Sequence, residues 1–309
     1  MPLYRYQPLP VSHLHRKDHY CIVFSGLGTA IHDMKNLDGV FRCIKDGLAG
    51  LKHMHQLNLV HRDCSTANVL NAAGRGRLVD LDYASDSSST RTGTLSFMAV
   101  EVDQARYKFF PIYALSDHVR NRTAGGVLDA SPFVPNWLHD VESVLWMCIW
   151  VLFRRASSGQ CCCISGVRDQ CPASSAPIQA QRAAYRRLFP GLIHSPGRLG
   201  VLQNTHTFGV LVWRALDPGC RGFGPAGRAL FPVLYNLVDV YCNAEVDRYD
   251  VRARVDHDDF GRVYRAFGAE LGQLERVVGP QLKRVVEDSR RVRFGLELDT
   301  SGRESLVTL

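Results

Sequence analysis

The chain has 309 residues, of which 46% are hydrophobic and 22% are charged, as expected for a globular protein with a sizeable core. The net charge is +7, but the basic residues are scattered and a solvated helix face explains the short basic runs, so no nucleic-acid partner is expected. The N-terminus lacks the apolar region of a signal peptide, and the longest apolar run, residues 144–153, is too short to span a bilayer. We therefore expect an intracellular protein, cytoplasmic or nuclear, with reduced cysteines and no membrane segment.

Three patterns in the first third of the chain predict local structure. Residues 19–24 are apolar and rich in β-forming side chains, which predicts a strand that ends at a Ser-Gly turn. Apolar residues recur at spacings of three and four over residues 38–55, which predicts a helix. Two short apolar runs, residues 69–70 and 77–79, flank the predicted turn 71–76 and indicate a β-hairpin.

The second half of the chain is predicted to be helical. The apolar stretch 137–153 predicts a buried helix that begins near Asp140. Residues 157–177 are rich in Ser, Gly and Cys, which favours a loop or an insertion. Further helices are predicted over residues 178–188, 225–243 and 259–290, the last with a break at Gly279-Pro280.

The stretch 61–68 reads His-Arg-Asp-Cys-Ser-Thr-Ala-Asn and has the residue types that phosphoryl transfer needs. That reaction requires a carboxylate that accepts or orients the proton of the attacking hydroxyl, and a cation that neutralises phosphate charge. Asp63 is suited to the first task. Asn68 and Asp80, at the exit of the predicted hairpin, are hard oxygen ligands of the kind that Mg²⁺ prefers. The pattern therefore favours phosphoryl transfer from ATP with Mg²⁺.

These residues resemble the catalytic loop of protein kinases, H-R-D-x-x-x-x-N. Residues 77–84 resemble the strand and D-F-G segment that follow it, and residues 93–101 resemble the end of the activation segment, with Ala-Val-Glu in place of Ala-Pro-Glu. Residues 137–143 resemble the start of the central buried helix. The combination is most similar to the fungal-type protein kinase family, over about residues 19–155.

The resemblance implies a mainly α fold with a small β component, namely a kinase-like C-terminal lobe with the last small-lobe strand and the hinge. The domain boundaries that it implies are a remnant at 1–18, the strand and hinge at 19–38, the large lobe at 39–294 with insertions near 102–136 and 157–177, and a tail at 295–309.

The resemblance also assigns roles in the catalytic loop. It implies that Asp63 is the catalytic base and that His61 and Arg62 complete the catalytic motif. It implies that Asn68 and Asp80 bind the metal that accompanies ATP.

Outside that loop, the resemblance assigns Phe24 and Gly26 to the hinge, where backbone groups meet adenine. Asp82, which takes the place of the D-F-G glycine, is a further candidate metal ligand. Asp140 is expected to brace the catalytic loop from the core. Glu101 is expected to form an ion pair with an arginine that the sequence does not identify.

Two departures from the family pattern bear on activity. Ser65 stands where a lysine commonly follows the catalytic aspartate. Only 18 residues precede the first predicted strand, and no glutamate precedes Glu101, so the lysine–glutamate pair of a complete small lobe cannot be built in its usual place. We therefore expect a truncated serine/threonine protein kinase, weakly active or inactive as this chain, whose protein substrate the sequence does not identify.

Two other functions fit parts of the sequence. A pseudokinase or interaction module is compatible with the missing small lobe. A small-molecule kinase is compatible with the aspartate–x₄–asparagine loop and with Asp80-Leu81-Asp82, but residues 93–101 have no counterpart in that group.

Overall fold

The computed structural model describes residues 26–85, 92–106, 108–109, 133–156, 176–191, 194–216, 229–243 and 257–278. This part of the chain is mainly helical with one small antiparallel sheet, which confirms the predicted fold class. The predicted strand at 19–24 and the predicted tail at 295–309 lie outside the described residues. The predicted domain boundaries stay predictions.

The sheet has three strands in the order β1 (Thr29–Ala30), β2 (Val69–Ala72) and β3 (Arg75–Leu78). β2 and β3 form the predicted hairpin, but its turn is shorter than predicted because the strands pair as far as Ala72 and Arg75. Only Ala73 and Gly74 remain between them, with φ of 50° and 79°, and two such residues make a tight turn that follows the twist of the strands.

Helix α1 (Leu37–Gln56) matches the predicted helix to within one residue at each end. Its apolar face, which includes Phe41 and Ile44, is buried in the main hydrophobic core. β3 lies directly on this helix: a Cβ built on Gly76 would overlap the backbone of Cys43. The absence of a side chain at Gly76 is therefore what lets the hairpin reach the helix.

Helix α3 (Trp137–Ala156) is the buried centre of the fold and contacts α1 and several later helices. It begins three residues before the predicted start near Asp140. The reason is local: the Asn136 side chain accepts a hydrogen bond from the amide of Leu138 at 2.9 Å and so caps the first turn. Among the described residues, no helix is long and apolar enough to cross a bilayer.

The other helices surround α3. They are α2 (Val100–Gln104), α4 (Ala176–Leu188), α5 (Pro196–Gln203), α6 (Thr205–Phe208), a π-helical turn (Gly209–Trp213), α7 (Arg214–Leu216), α8 (Phe231–Asn243) and α9 (His257–Val278).

Helices α4, α8 and α9 confirm the predicted helical segments with shifted ends. α4 begins two residues earlier than predicted, inside the segment 157–177 that was predicted to be a loop. The helices between residues 196 and 216 were not predicted. The predicted break at Gly279-Pro280 lies beyond the part of the chain that the structure describes.

Candidate active site

The stretch 61–68 forms a loop between α1 and β2 that is fastened to the core by Asp140. The Asp140 carboxylate accepts hydrogen bonds from the amide of His61 at 2.7 Å and from the amide of Arg62 at 2.9 Å. Burial favours the protonated carboxyl, but hydrogen bonds from His55 and the Arg62 amide outweigh it and hold the pKa of Asp140 below its ordinary value. A buried, ionised side chain of α3 thus fixes two consecutive backbone groups of the loop.

His61 joins this loop to the end of β3. Its Nδ1 accepts a hydrogen bond from the Asp63 amide at 3.3 Å, so its Nε2 carries the proton and donates to the carbonyl of Val79 at 3.1 Å. The Val79 amide in turn donates to the carbonyl of Asn68 at 3.0 Å. Both backbone groups of Val79 are thus bonded to the loop, the carbonyl to His61 and the amide to Asn68. Asp80, the next residue, is therefore held beside the loop.

Asp63 and Asn68 are both oriented by hydrogen bonds. The Oδ1 atom of Asp63 accepts from the amide and from the hydroxyl of Thr94, each at 2.8 Å. The side-chain nitrogen of Asn68 donates to the carbonyl of Asp63 at 2.9 Å, which leaves the Asn68 Oδ1 atom available as an acceptor. The Asp63 carboxylate and the Asn68 amide, which were predicted to take part in catalysis, thus belong to one hydrogen-bonded loop.

The two acidic residues after β3 are exposed. Asp80 adopts a left-handed backbone conformation, with φ of 61°, and Asp82 follows two residues later. In the described part of the chain, no group of three or more His, Cys, Asp or Glu side chains could hold a metal ion unaided. A cation at this site would therefore depend on Asn68, Asp80 and oxygens of a bound phosphate. No described contact connects Asp82 with Asn68.

Ser65 occupies the lysine position of the family pattern and has a structural use instead. Its side chain is buried, and its hydroxyl oxygen accepts hydrogen bonds from the amides of Ala67 and Asn68, both at 3.3 Å. A hydroxyl that bonds to amides two and three residues later stabilises a tight turn. Ser65 shapes the loop and brings no positive charge to it.

Among the described residues, the partner of Glu101 is a histidine, and the arginine partner that the resemblance implied stays a prediction. The Glu101 carboxylate pairs with His139 Nε2 at 3.0 Å and accepts from the amides of Lys108 and Phe109 at 2.5 and 3.1 Å. His139 lies in the first turn of α3, one residue before Asp140, so this hydrogen bond still connects the residue 100 region to the central helix.

A buried arginine does lie nearby, but it binds backbone carbonyls. Arg198 of α5 donates to the carbonyl of Met98 at 2.6 Å and to that of Leu95 at 3.0 Å. Burial lowers the pKa of Arg198, and the negative charge of Glu142 acts against this shift. The guanidinium holds the turn that follows Thr94, which places Arg198 behind the candidate site.

The adenine-binding residues are placed only in part. Phe24 lies outside the described residues. Gly26 is exposed, and a side chain there would meet only open space. The predicted role of this segment as a hinge stays a prediction.

Thr94 and His55 were not among the predicted site residues, although each left a signal in the sequence. The signal for Thr94 is the glycine directly before it. The structure explains that glycine, because Gly93 has φ of 119° and a Cβ there would lie 2.8 Å from the carbonyl oxygen of Arg62. His55 continues the buried spacing of Leu48 and Leu51 on α1, which marks it as a core histidine.

Two comparisons bear on the identity of this chain. A family model described as "Fungal protein kinase" matches residues 5–152, which include the loop, Thr94, Glu101 and Asp140. A protein of Encephalitozoon cuniculi described as a "probable serine/threonine-protein kinase" is 30% identical over 76 residues, which span 23% of this chain and 15% of that protein. Residues 5–152 of this chain thus match the fungal protein kinase family.

Proposed function

We propose that this chain carries the catalytic loop for phosphoryl transfer from ATP to serine or threonine hydroxyls of a protein, within a large lobe formed by residues 39–294. The observation that supports this most directly is the paired orientation of Asp63 and Asn68. Two donors of Thr94 hold the carboxylate, and the amide of Asn68 is fixed against the same turn. Positioning of this kind is the main contribution that a protein makes to phosphoryl transfer.

In this proposal Asp63 receives the substrate hydroxyl. Both hydrogen bonds described for its carboxylate use Oδ1, so we assign Oδ2 to the proton of the attacking hydroxyl. Asp63 is half-buried. Proton-transfer assistance by a positioned carboxylate contributes about 10²–10⁴-fold to a rate.

Protein kinases as a family use ATP and Mg²⁺, and the residues of this site fit that pair. The Oδ1 atom of Asn68 and the exposed carboxylate of Asp80 are hard oxygen ligands held on adjoining backbone segments. When bound, Mg²⁺ neutralises phosphate charge. Asp82, two residues after Asp80, is a third candidate oxygen ligand in the same region.

We expect the activity of this chain alone to be low. Ser65 supplies no cation near the transferred phosphate. This weakens the hold on ATP without disturbing Asp63. A purified protein of residues 1–309 that turns over at the typical kinase rate of about 1–100 s⁻¹ would contradict this expectation.

The proposed function is tested by phosphate transfer from radiolabelled ATP to casein and histone in the presence of Mg²⁺. We expect slow transfer by the wild type and a loss of at least about 100-fold in Asp63→Asn. Asp38→Asn, an exchange of the same kind at the remote start of α1, is the matched control and should retain wild-type transfer. Equal transfer by the wild type and by Asp63→Asn would refute the role of Asp63. Transfer to an amino sugar or choline, with none to protein, would indicate a small-molecule kinase instead.

An interaction module without catalysis is the second candidate, and one observation favours it. Large apolar side chains before and after the loop in sequence are solvent-exposed, Leu57 at 71% and Leu81 at 51%. A partner that covers exposed apolar side chains gains from their burial. A thermal melt distinguishes the candidates, because a ligand that binds only the folded state raises its stability. No shift with millimolar ATP and Mg²⁺, together with no phosphate transfer, would support the module.

A further inference from the structure

A chain of hydrogen bonds connects helix α9 to the catalytic loop through two buried side chains. The hydroxyl of Tyr264 on α9 lies 2.5 Å from His55 Nδ1 at the end of α1. The other ring nitrogen of His55, Nε2, lies 2.8 Å from Oδ2 of Asp140. The same Oδ2 atom accepts the amide hydrogen of His61 at 2.7 Å. The hydroxyl is thus two side chains away from the backbone of the loop, although it is 209 residues from His55 in sequence.

The direction of each hydrogen bond follows from the proton that each group holds. Burial raises the pKa of Tyr264 well above its ordinary value, and the negative charge of Asp140 raises it further, so the phenol keeps its proton. The ionised Asp140 carboxylate only accepts, so His55 carries a proton on Nε2, and in the neutral ring Nδ1 then accepts the hydroxyl hydrogen of Tyr264. That N–H points at an ionised carboxylate. Tyr264 in this way selects the one neutral ring form of His55 that can donate to Asp140.

The surroundings make this selection strong. His55 is 2% exposed, Asp140 is 2% exposed and Tyr264 is 5% exposed. The imidazole is enclosed by the rings of Trp137, Phe260 and Tyr264, with centroids 6.5, 6.4 and 5.9 Å away. Hydrogen bonds are stronger in such an environment, and an unpaired polar atom there is costly. Without the Tyr264 donor, His55 Nδ1 would have to be protonated or left unpaired.

We propose that Tyr264 is a positioning residue for the catalytic loop, which acts by fixing the ring form of His55 and so the orientation of Asp140. The effect reaches the backbone amides of His61 and Arg62, which immediately precede Asp63. The proposal deepens the proposed function and rests on it only where activity is concerned. It assigns to α9, which lies outside the family match, a direct influence on the loop.

The wild-type protein gives a first test that needs no variant. Nitrogen NMR distinguishes a ring nitrogen that carries a proton from one that accepts a hydrogen bond. We expect His55 to show a protonated Nε2 and an unprotonated Nδ1. A protonated Nδ1 in the wild type would overturn the proposal, whether or not the chain transfers phosphate.

The second test compares Tyr264→Phe with Tyr241→Phe. Both tyrosines are buried and both donate to a polar partner in the core, but Tyr241 donates to Glu142 and not to His55. We expect amide hydrogen exchange of His61 and Arg62 to accelerate about three- to tenfold in Tyr264→Phe and to stay at the wild-type rate in Tyr241→Phe. Equal exchange in the two variants would overturn the proposal. If Tyr264→Phe does not fold, the NMR result on the wild type decides.

Kinetics supply the third test, provided that the wild type transfers phosphate. Tyr264→Phe should lower kcat by about three- to tenfold with little change in KM for ATP, since the ATP ligands are untouched. An equal rise in KM without loss of kcat would contradict a positioning role. A wild-type protein without activity would count against the proposed function alone, because the hydrogen-exchange and NMR tests do not depend on phosphate transfer.

Discussion

Thr94 holds the Asp63 carboxylate with two donors, its backbone amide and its hydroxyl, each 2.8 Å from the same oxygen. Both donors come from the residue that follows Gly93, whose φ of 119° and contact with the Arg62 carbonyl leave no room for a side chain. The orientation of the proposed base is therefore set by a segment 31 residues further along the chain.

Replacing Thr94 by valine should impair catalysis without unfolding the protein. Valine keeps the branched shape and the backbone amide but removes the hydroxyl donor. A hydrogen bond to a charged group contributes about 1.5–3 kcal/mol, so kcat should fall about 10- to 100-fold. Thr94→Ser retains the hydroxyl and is the control. Steady-state kinetics that show equal losses in both variants would argue against an orienting role for the hydroxyl.

Replacing Gly76 by alanine should destabilise the fold strongly. A Cβ there would meet the backbone of Cys43 on α1, and a helix backbone cannot give way as a flexible side chain can. We expect a loss of about 2–4 kcal/mol in the free energy of unfolding, measured by urea denaturation. Gly74→Ala is the matched control, since its Cβ would meet nothing and only its φ of 79° would be strained. A smaller loss in Gly76→Ala than in Gly74→Ala would refute the close approach.

Two carboxyl groups of α3 should give opposite pH dependences of stability. The pKa of Asp140 is lowered on folding, so the unfolded chain binds more protons, and the stabilisation from Asp140 is lost as the pH falls below about 4. Burial raises the pKa of Glu142, although Trp146, Tyr241 and the Val100 amide donate to it. Its favourable contribution is therefore complete below the ordinary value of 4.5 and is lost as the pH rises through its folded pKa.

The two pH dependences are tested by measuring the free energy of unfolding in urea for Asp140→Asn, Glu142→Gln and the wild type between about pH 3 and pH 8. The stability advantage of the wild type over Asp140→Asn should shrink as the pH falls. Glu142→Gln should gain stability relative to the wild type as the pH rises above 4.5. Parallel curves for the wild type and either variant would show that the group in question does not change its pKa on folding.

Replacing Arg198 by methionine should cost far more stability than the same change at Arg42. Arg198 is 1% exposed, and its loss leaves the carbonyls of Leu95 and Met98 without their donor. We expect a loss of about 2–4 kcal/mol in the free energy of unfolding. The Arg42 side chain is 49% exposed in its ion pair with Glu275, so Arg42→Met should cost less than about 1 kcal/mol. Similar losses in the two variants would show that Arg198 is not structurally special.

Local patterns predicted the elements that bear the site but not the contacts between them. The spacing of apolar residues on α1 and the two short runs of the hairpin were sufficient, because both depend on neighbours in sequence. The order of Asp63, Asn68 and Asp80 identified the loop for the same reason.

The remaining features depend on distant partners. Glu101 was predicted to pair with an arginine, but His139 lies nearer and Arg198 is engaged by carbonyl groups. Tyr264 donates to His55, which is 209 residues away in sequence, and no local spacing of residues predicts such a contact. The helices at 196–216 were missed because each segment, of three to eight residues, is too short to show a regular apolar stripe.

The contact of Gly76 with α1 also bears on how such a chain changes over evolutionary time. Substitutions in a core change the volume of its side chains, and the packed helices and sheets then move closer together or further apart. At Gly76 no side chain lies between the hairpin and the helix, so their distance at this point is set by backbone atoms. Asn68 and Asp80 flank this hairpin, so any residue larger than glycine at position 76 would shift both of them relative to α1.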